Sequence, residues 1–281
     1  MSDRIVTSSI LCPVDLSDQS VPVVRLAASL ARACSVPLVV VHASTTEVPP
    51  YFTPQGVELL EAELDHARIA ARQRLATLVE GAPGAEIRVE DGDPLTIIQR
   101  LSAFLHPSMI VMGTHGRGGL ARFVDGSVAE DLVHSSDIPV LTVGPTDDIA
   151  TAQTIVCAVT DTELSRTSLS WAIHLAECLR RSLTILHVVE PGASHPISDL
   201  CEWAGRDRAP GCQVQEVIRE GNAADEILRL AGELRAGLLV IGAQHKLISD
   251  KTVIGATVEK LLRHSPCPVL TVLGDRHPRT G

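Results

Sequence analysis

The segment that follows residues 109–113 carries the clearest chemical signal in the sequence. After that apolar run, Gly113, Gly116, Gly126 and Ser127 form the pattern G-x-x-G-x9-G-S. Glycine lets a backbone come close to a bound group and accepts a positive φ, which residues with side chains resist. Such a pattern after a buried strand is typical of loops that surround an oxyanion.

The donors available to an anion lie in the same segment. The amides of Gly126, Ser127 and Val128 would open a helix, where the first N–H groups have no intrahelical partner and the dipole favours negative charge. Ser127 adds a hydroxyl, and Arg117 can make a charge-assisted hydrogen bond. This donor set suits a polyphosphate better than a lone carboxylate. The alternative is a glycine-rich turn in which Ser127 only caps the helix.

A second chemical group follows the first apolar run of the chain. Asp15 comes directly after Pro13 and Val14, and its carboxylate can accept from a ribose hydroxyl or an exocyclic amine. Asp is also common in Asx turns and helix caps, and a helix is predicted to begin at Ser20, so both interpretations of Asp15 stay open. Residues 41–42, at the end of the second apolar run, would form an apolar wall.

Short apolar runs alternate with longer helical patterns, which predicts parallel, doubly wound α/β (Rossmann-like) sheets. The runs are continuously apolar, as expected for strands covered on both faces. In such sheets ligands bind at the carboxyl ends of the strands, where the strand order reverses, so the two groups above would meet there. In the first half, strands are predicted at 8–14, 37–43, 86–90, 109–113 and 139–143. Helices are predicted at 20–34, 57–79 and 127–135, and a further helix is predicted to begin at Pro94, with Asp93 as its N-cap.

The chain repeats itself once. Residues 38–42 recur 145 positions later, and residues 109–113 recur 129 positions later. The first copy therefore carries 16 more residues in one connection, after its second strand. A period of this length predicts two domains, 1–146 and 147–281, with a linker near 147–152 and a shortened second helix in the second domain.

The composition excludes several classes of protein. Of the 281 residues, 45% are apolar and 21% are charged, a globular composition. No apolar run approaches about 18 residues, which excludes an ordinary membrane helix. The net charge of −10 argues against nucleic-acid and anionic-lipid partners. The first residues carry no signal-peptide pattern and the seven cysteines contain no C-x-x-C pair, so a cytoplasmic protein with reduced thiols is expected.

Two of the cysteines lie in a stretch rich in Gly, Pro and charge. Cys201 and Cys212, together with His195, could be suggested as metal ligands. Their spacing fits no zinc pattern, so we interpret them as ordinary loop residues and expect no metal site.

The sequence resembles the universal stress protein family. The resemblance rests on the G-x-x-G-x9-G-S pattern, on Val-Asp-Leu-Ser-Asp-x-Ser from Val14 onward, and on the Pro-Val-Leu-Thr-Val that closes each copy. The tandem layout is similar to that of the family's two-domain members. The resemblance covers nearly the whole chain and implies a five-stranded parallel sheet of order 3-2-1-4-5 in each domain, with the domains associating through their last strands. It also implies an ATP site, with or without Mg²⁺, in the first domain.

The resemblance assigns residues to that site. Pro13, Val14 and Asp15, at the end of the first strand, would meet adenine, with Val41 beside it. The residues of the glycine-rich segment would hold the ribose and phosphates. The cofactor-binding residues that it implies are Pro13, Val14, Asp15, Val41, Met112, Gly113, His115, Gly116, Arg117, Gly126, Ser127 and Val128.

The second copy departs from the pattern. Thr160 stands where the first copy has Asp15, His245 replaces the second glycine of the loop, and Ala256 replaces Ser127. The second copy thus lacks both a permissive glycine and a hydroxyl, which predicts an empty or altered second site.

Three functions are compatible with the sequence. The favoured one is a stress-response or regulatory protein that binds ATP in its first domain. The others are a slow ATP hydrolase of the adenine-nucleotide α-hydrolase type and an interaction scaffold that binds no nucleotide. The chain has no S-G-G-x-D-S loop after its first strand, no Walker motif and no G-x-S-x-G, so we assign no catalytic residue. An internal pseudo-dimer of the two domains is expected, and a homodimer is left open.

Overall fold

The computed structural model describes residues 8–45, 54–114, 128–144, 153–192, 212–244, 246–248 and 251–274. In the first half, apolar strands alternate with helices as the sequence predicts. The strands are β1 (Ile10–Pro13), β2 (Leu38–Ser44), β3 (Glu86–Asp91), β4 (Met109–Gly113) and β5 (Val140–Val143), and the helices are α1 (Ser20–Cys34), α2 (Pro54–Leu78), α3 (Pro94–Leu105) and α4 (Val128–Ser135).

The second half repeats this alternation and adds a small hairpin. Its strands are β6 (Thr154–Val159), β7 (Ser182–Val189), β8 (Val214–Glu220), β9 (Leu238–Ala243), β10 (Lys246–Ile248), β11 (Lys251–Val253) and β12 (Val269–Leu273), and its helices are α5 (Glu163–Leu179), α6 (Ala223–Glu233) and α7 (Ala256–His264). Residues 193–211, where a shortened second helix is predicted, and the predicted linker at 147–152 lie outside the described residues.

One 10-stranded sheet runs through both halves, in the order β3-β2-β1-β4-β5-β12-β9-β6-β7-β8. Within each half the neighbouring strands are parallel, and the predicted order 3-2-1-4-5 is confirmed twice. The two sets of strands meet where β12 pairs antiparallel with β5, with Leu141 opposite Leu270. The last strand of each copy therefore makes the join.

Helices cover both faces of the sheet. Because successive strand residues point to opposite sides, each strand contributes to two apolar clusters. Ile10 and Cys12 belong to the apolar cluster that α1, α2 and α5 cover. Leu11, between them, belongs to the cluster under α3, α4, α6 and α7. All three are fully buried, which explains why the strands read as continuous apolar runs.

The start of α3 follows the capping chemistry predicted from its sequence. The carboxylate of Asp93 accepts from the amide of Thr96 at 2.9 Å, and Pro94 occupies the first helical turn. This cap fixes where α3 begins, and therefore which of its residues face β2 and the end of the sheet. No helix in the described part of the chain is long and apolar enough to cross a membrane.

Candidate functional site

A cavity of about 500 Å³ opens at the carboxyl ends of β1, β2 and β4. Helix α1 borders it on one side of the sheet, and the first turns of α3 and α4 border it on the other. In the strand order, β1 lies between β2 and β4. The chain passes from β1 to β2 on one side and crosses from β3 to β4 on the other, so the strand order reverses here. This is the switch point at which open α/β sheets bind ligands, and the volume lies within the roughly 300–1,000 Å³ of small-molecule sites.

Seven of the twelve residues that the sequence assigns to the site line this one cavity. They come from three strand ends and one helix start: Pro13, Val14, Asp15, Val41, Met112, Gly113 and Val128. The other five lie outside the described residues: His115, Gly116, Arg117, Gly126 and Ser127. Helix α4 begins at Val128, directly after that segment, so the N–H groups of its first turn border the cavity.

The cavity has an apolar wall that sequence reasoning identified only in part. Val41 and Met112, from β2 and β4, are joined by Ile97 and Ile98 of α3, and all four side chains are buried. The two isoleucines were missed because they lie on a helix whose sequence pattern indicates only an apolar face. Polar residues, among them Asp15, line the same cavity. A planar base with polar substituents matches this combination of apolar and polar residues.

The carboxylate of Asp15 closes a tight turn at the end of β1. Its Oδ1 accepts from the Ser17 amide at 2.9 Å, from the Ser17 hydroxyl at 2.7 Å and from the Ser20 hydroxyl at 3.0 Å. Leu16, between Asp15 and Ser17, has a left-handed φ of 62°, which turns the chain back toward the carboxylate. The Asx-turn interpretation therefore describes what Asp15 does in the fold, and the same side chain also lines the cavity.

These hydrogen bonds control the charge of Asp15. Burial raises the pKa of the carboxyl, but the donors from Ser17 and Ser20 outweigh burial and hold its pKa below the ordinary value of 3.8. Asp15 is therefore an anion at neutral pH. It can only accept hydrogen bonds there, so any group that it recognises on a ligand must be a donor.

His42 is a buried side chain at the rim of the cavity. Its Nδ1–H donates to the carbonyl oxygen of Val14 at 2.9 Å and so ties the end of β2 to the end of β1. The second half makes the same bond, from His187 to Val159, at 3.0 Å. Because both halves have it, including the one without the glycine motif, this hydrogen bond is a feature of the repeated fold and is not specific to the cavity.

The corresponding region of the second half is built differently. Gly242 is the counterpart of Gly113, and a Cβ added to it would lie 2.9 Å from Leu164 Cγ and 2.9 Å from Ser168 Oγ. Leu164 corresponds to Gln19, which lines the cavity in the first half. The leucine side chain thus packs onto the end of β9, where the first half has open space between β4 and α1. This packing adds a steric argument to the sequence differences.

Two further differences separate the halves. The hydroxyl of Thr160 lies 3.1 Å from that of Ser165, so a neutral pair stands where the first half has the charged Asp15. Strands β10 and β11 pair antiparallel, with Leu247 opposite Thr252, at positions that correspond to the glycine-rich loop, and β11 contacts α4 of the first half. His245 itself lies outside the described residues.

Comparison with known proteins gives consistent results for the two halves. The model of the universal stress protein family matches the chain twice, over residues 7–144 and 151–272. A universal stress protein from Mycolicibacterium smegmatis is 24% identical over 284 residues, which cover 94% of this chain and 96% of that protein.

Solved structures extend the comparison to the fold. The crystal structure of a universal stress protein from Archaeoglobus fulgidus has a TM-score of 0.73 at 23% identity, covering 94% of this chain and 97% of the other. A universal stress protein solved in complex with cAMP is similar to 49% of this chain and 97% of its own length, at 21% identity and a TM-score of 0.36. The first of these has the same fold as this chain.

Proposed function

The chain belongs to the universal stress protein family, and from that premise we propose that its first half binds an adenine nucleotide, ATP, as a regulatory ligand. One observation carries the proposal. Residues from the ends of β1, β2 and β4, which the resemblance assigns to a nucleotide site, line a single cavity of about 500 Å³ at the switch point of the sheet. The carboxyl ends of neighbouring parallel strands share one edge of the sheet, which brings these residues together at the place where such sheets bind ligands.

The proposal assigns each part of the nucleotide to residues that suit its chemistry. The base would lie against the apolar wall of Val41, Met112 and Ile97, beside Pro13 and Val14. The Asp15 carboxylate would accept from the ribose or from the exocyclic amine. The phosphates would be held at the start of α4, by the residues that precede it: Gly116, Gly126, Ser127 and Val128, with His115 and Arg117 in reach.

A metal ion enters the proposal only through the phosphates. Asp15 is the one acidic side chain among the described residues that line the cavity. A single carboxylate with water completes Mg²⁺ coordination only when substrate phosphates supply further oxygens. Mg²⁺ would therefore arrive with ATP, and the protein would hold little of it alone.

The domain organisation, the oligomeric state and the cellular location are further parts of the proposal. The β5–β12 pairing supports an internal pseudo-dimer of two domains, with boundaries near 146 and 147. The homodimer and the cytoplasmic location stay predictions from the sequence and the resemblance.

Calorimetric titration of the full chain with ATP, ADP, AMP, cAMP and GTP tests the proposed function. We expect ATP to bind, and GTP to bind at least about tenfold more weakly, because guanine presents a carbonyl where adenine presents an amine. Equal affinity for ATP and GTP would contradict adenine recognition. No heat with any nucleotide, and none co-purified by mass spectrometry, would favour the scaffold. ATP turnover above a catalyst-free control would favour the hydrolase.

The number of ATP molecules bound per chain is the next prediction. We expect one, because Leu164 packs against Gly242 and Thr160 replaces a carboxylate in the second half. The stoichiometry from the same titration, with protein concentration from amino-acid analysis, measures it. Two sites of similar affinity would mean that the second half rearranges around Leu164, and our interpretation of that half would be wrong.

A further inference from the structure

Helices α1 and α5, one from each half, contact each other where the two halves meet. Near their C-terminal ends stand Cys34, His174 and Cys178, whose ligand atoms all lie within 4.8 Å of one another. His174 and Cys178 are one helical turn apart and face the same way, with Nε2 3.5 Å from Sγ. The cluster therefore combines two thiols and an imidazole from different parts of the fold.

The spacing of these atoms matches that of ligands around one tetrahedral zinc ion. Bonds of about 2.3 Å to sulfur and about 2.0–2.1 Å to nitrogen put a sulfur and a nitrogen about 3.5 Å apart, and two sulfurs about 3.8 Å apart. The observed Cys178–His174 distance is 3.5 Å, and the 4.8 Å limit holds for the Cys34 sulfur as well. Small side-chain rotations would bring all three onto one ion.

The fold itself does not require these residue types. The counterparts of Cys34, His174 and Cys178 in the other copy are Leu179, Ser29 and Ala33. The equivalent positions of the same two helices thus carry no cysteine or histidine. Packing alone is satisfied by leucine, serine and alanine at these places, so the cysteines and the histidine call for another explanation.

We propose that Cys34, His174 and Cys178 form a binding site for a thiophilic divalent cation, Zn²⁺, that links α1 of the first half to α5 of the second. Soft thiolates with an imidazole are a ligand set that zinc prefers. Cys34 is buried, whereas His174 and Cys178 are partly exposed, so the ion can enter from solvent and complete its coordination with water. The helix C-termini add favourable electrostatics for a cation.

The Cys34 thiol must lose its proton when it becomes a metal ligand. The hydrogen bond with Cys178, together with burial, raises the pKa of the Cys34 thiol, so this thiol is protonated at neutral pH. A cation displaces such protons when it binds, since only the thiolate is a ligand.

The site is independent of the proposed nucleotide cavity. Helix α1 borders the cavity near Ser20 and ends at Cys34. Fifteen residues of helix separate these ends by about 21 Å. Zinc binding can therefore be tested, and can fail, without any consequence for ATP binding.

Metal titration of the full chain, stripped with chelator under reducing conditions, tests the site. Co²⁺ is the spectroscopic probe, because cobalt bound to thiolate absorbs in the near ultraviolet. We expect one Co²⁺ per chain with this absorption, and its displacement by Zn²⁺. Zn²⁺ should also raise the melting temperature, because it binds the folded chain and joins its halves.

Variants give the decisive comparison. Cys178→Ser and His174→Ala should each weaken Zn²⁺ by about 100-fold or more, since losing even an outer-shell partner costs roughly 10–100-fold. Cys212→Ser is the matched control: its thiol is also partly exposed, donates to the Arg181 carbonyl at 3.2 Å, and is not among the three residues whose ligand atoms lie together. It should bind Zn²⁺ like the parent chain.

Three results would overturn the proposal. The first is the absence of thiolate–cobalt absorption in the parent chain. The second is unchanged Zn²⁺ affinity in both cluster variants, when circular dichroism shows that both are folded. The third is the loss of two thiols in air even with excess Zn²⁺ present, abolished by Cys178→Ser, which would identify a Cys34–Cys178 disulfide instead. If Cys178→Ser does not fold, His174→Ala carries the test alone.

Discussion

ATP affinity is expected to fall by about 100-fold or more, roughly 2.7 kcal/mol, when Gly116 and Gly126 are both replaced by valine. Glycine at these positions would leave space for the phosphates beside the start of α4. A branched side chain fills that space and directs atoms at the oxygens. Adenosine, which has no phosphate, should lose much less affinity, and titration of the double variant with both ligands measures the difference.

The second half supplies evidence that the fold tolerates such changes. His245 stands at the position of Gly116, so a side chain is accepted there. Gly255, the counterpart of Gly126, is the N-cap of α7 with an ordinary φ of −68°, and a Cβ added to it would meet nothing within 4 Å. The effect of the double variant should therefore come from the ligand's space, with little loss of stability.

Gly255→Val is the matched control for this experiment. It makes the same change at the equivalent helix start, in the half where we expect no ATP. We predict unchanged ATP affinity and at most about 1 kcal/mol lower stability, as for a poorer N-cap. If the Gly116→Val, Gly126→Val chain folds and binds ATP as tightly as the parent, the proposed phosphate loop is wrong.

The strands were predictable from sequence because burial on both faces leaves a strong compositional mark, whereas their order was implied by the resemblance to the family. Ile10, Leu11 and Cys12 alternate between the two apolar clusters and are all fully buried, so every position of the strand must be apolar. The strands of the second half followed from the repeat, since they recur at fixed offsets from those of the first. Polar residues directly after such strands could be assigned to the site because the carboxyl ends of parallel strands share one edge.

Contacts between distant segments could not be predicted in the same way. Ile97 and Ile98 line the cavity because the cap at Asp93 fixes where α3 starts, and an apolar helical pattern alone does not identify the residues that face a ligand. Leu164 reads as one more apolar helix position, and only the structure reveals its contact with Gly242.

The cysteine cluster illustrates the same limit at longer range. Cys34 and Cys178 are 144 residues apart, and they meet only because β5 and β12 pair and bring α1 against α5. From the sequence we expected reduced thiols and considered metal ligands only at Cys201, Cys212 and His195. The one local signal was a histidine four residues before a cysteine on a predicted helix.

The Asp15→Ala substitution is the second large effect that we expect, and it should change stability and affinity together. Removing the acceptor of three hydrogen bonds from Ser17 and Ser20 should cost about 1 kcal/mol, as for a lost cap, or about 2–4 °C in melting temperature. A hydrogen bond to a charged acceptor is worth about 1.5–3 kcal/mol, so ATP, ADP and adenosine should all bind about ten- to a hundredfold more weakly.

Acid unfolding gives an independent measure of the structural role. Because folding lowers the pKa of Asp15, the folded state favours the ionised carboxylate. The stability that Asp15 contributes is therefore complete above its ordinary pKa of 3.8 and is lost as the pH falls through the lower folded value. The parent chain should lose more stability below about pH 4 than Asp15→Asn, whose amide does not titrate there.

Two further variants separate the structural role of Asp15 from ligand recognition. Asp15→Asn keeps an oxygen that can accept from Ser17 and Ser20, so it should restore most of the melting temperature while nucleoside affinity stays reduced. Asp18→Ala removes an exposed carboxylate from the same turn, away from the cavity lining, and should change affinity little.

Ser127→Ala completes the comparison, because it should weaken ATP far more than adenosine, whereas Asp15→Ala weakens both by a similar factor. The phosphates would still be held near Gly126 in the Asp15 variant, so part of its ATP affinity should survive. A lower melting temperature for Asp15→Ala with unchanged affinity for every ligand would mean that the carboxylate only closes its turn. Base and ribose recognition would then depend on the apolar wall of Val41, Ile97 and Met112, and a site that reads shape without a charged acceptor should discriminate poorly between adenine and guanine.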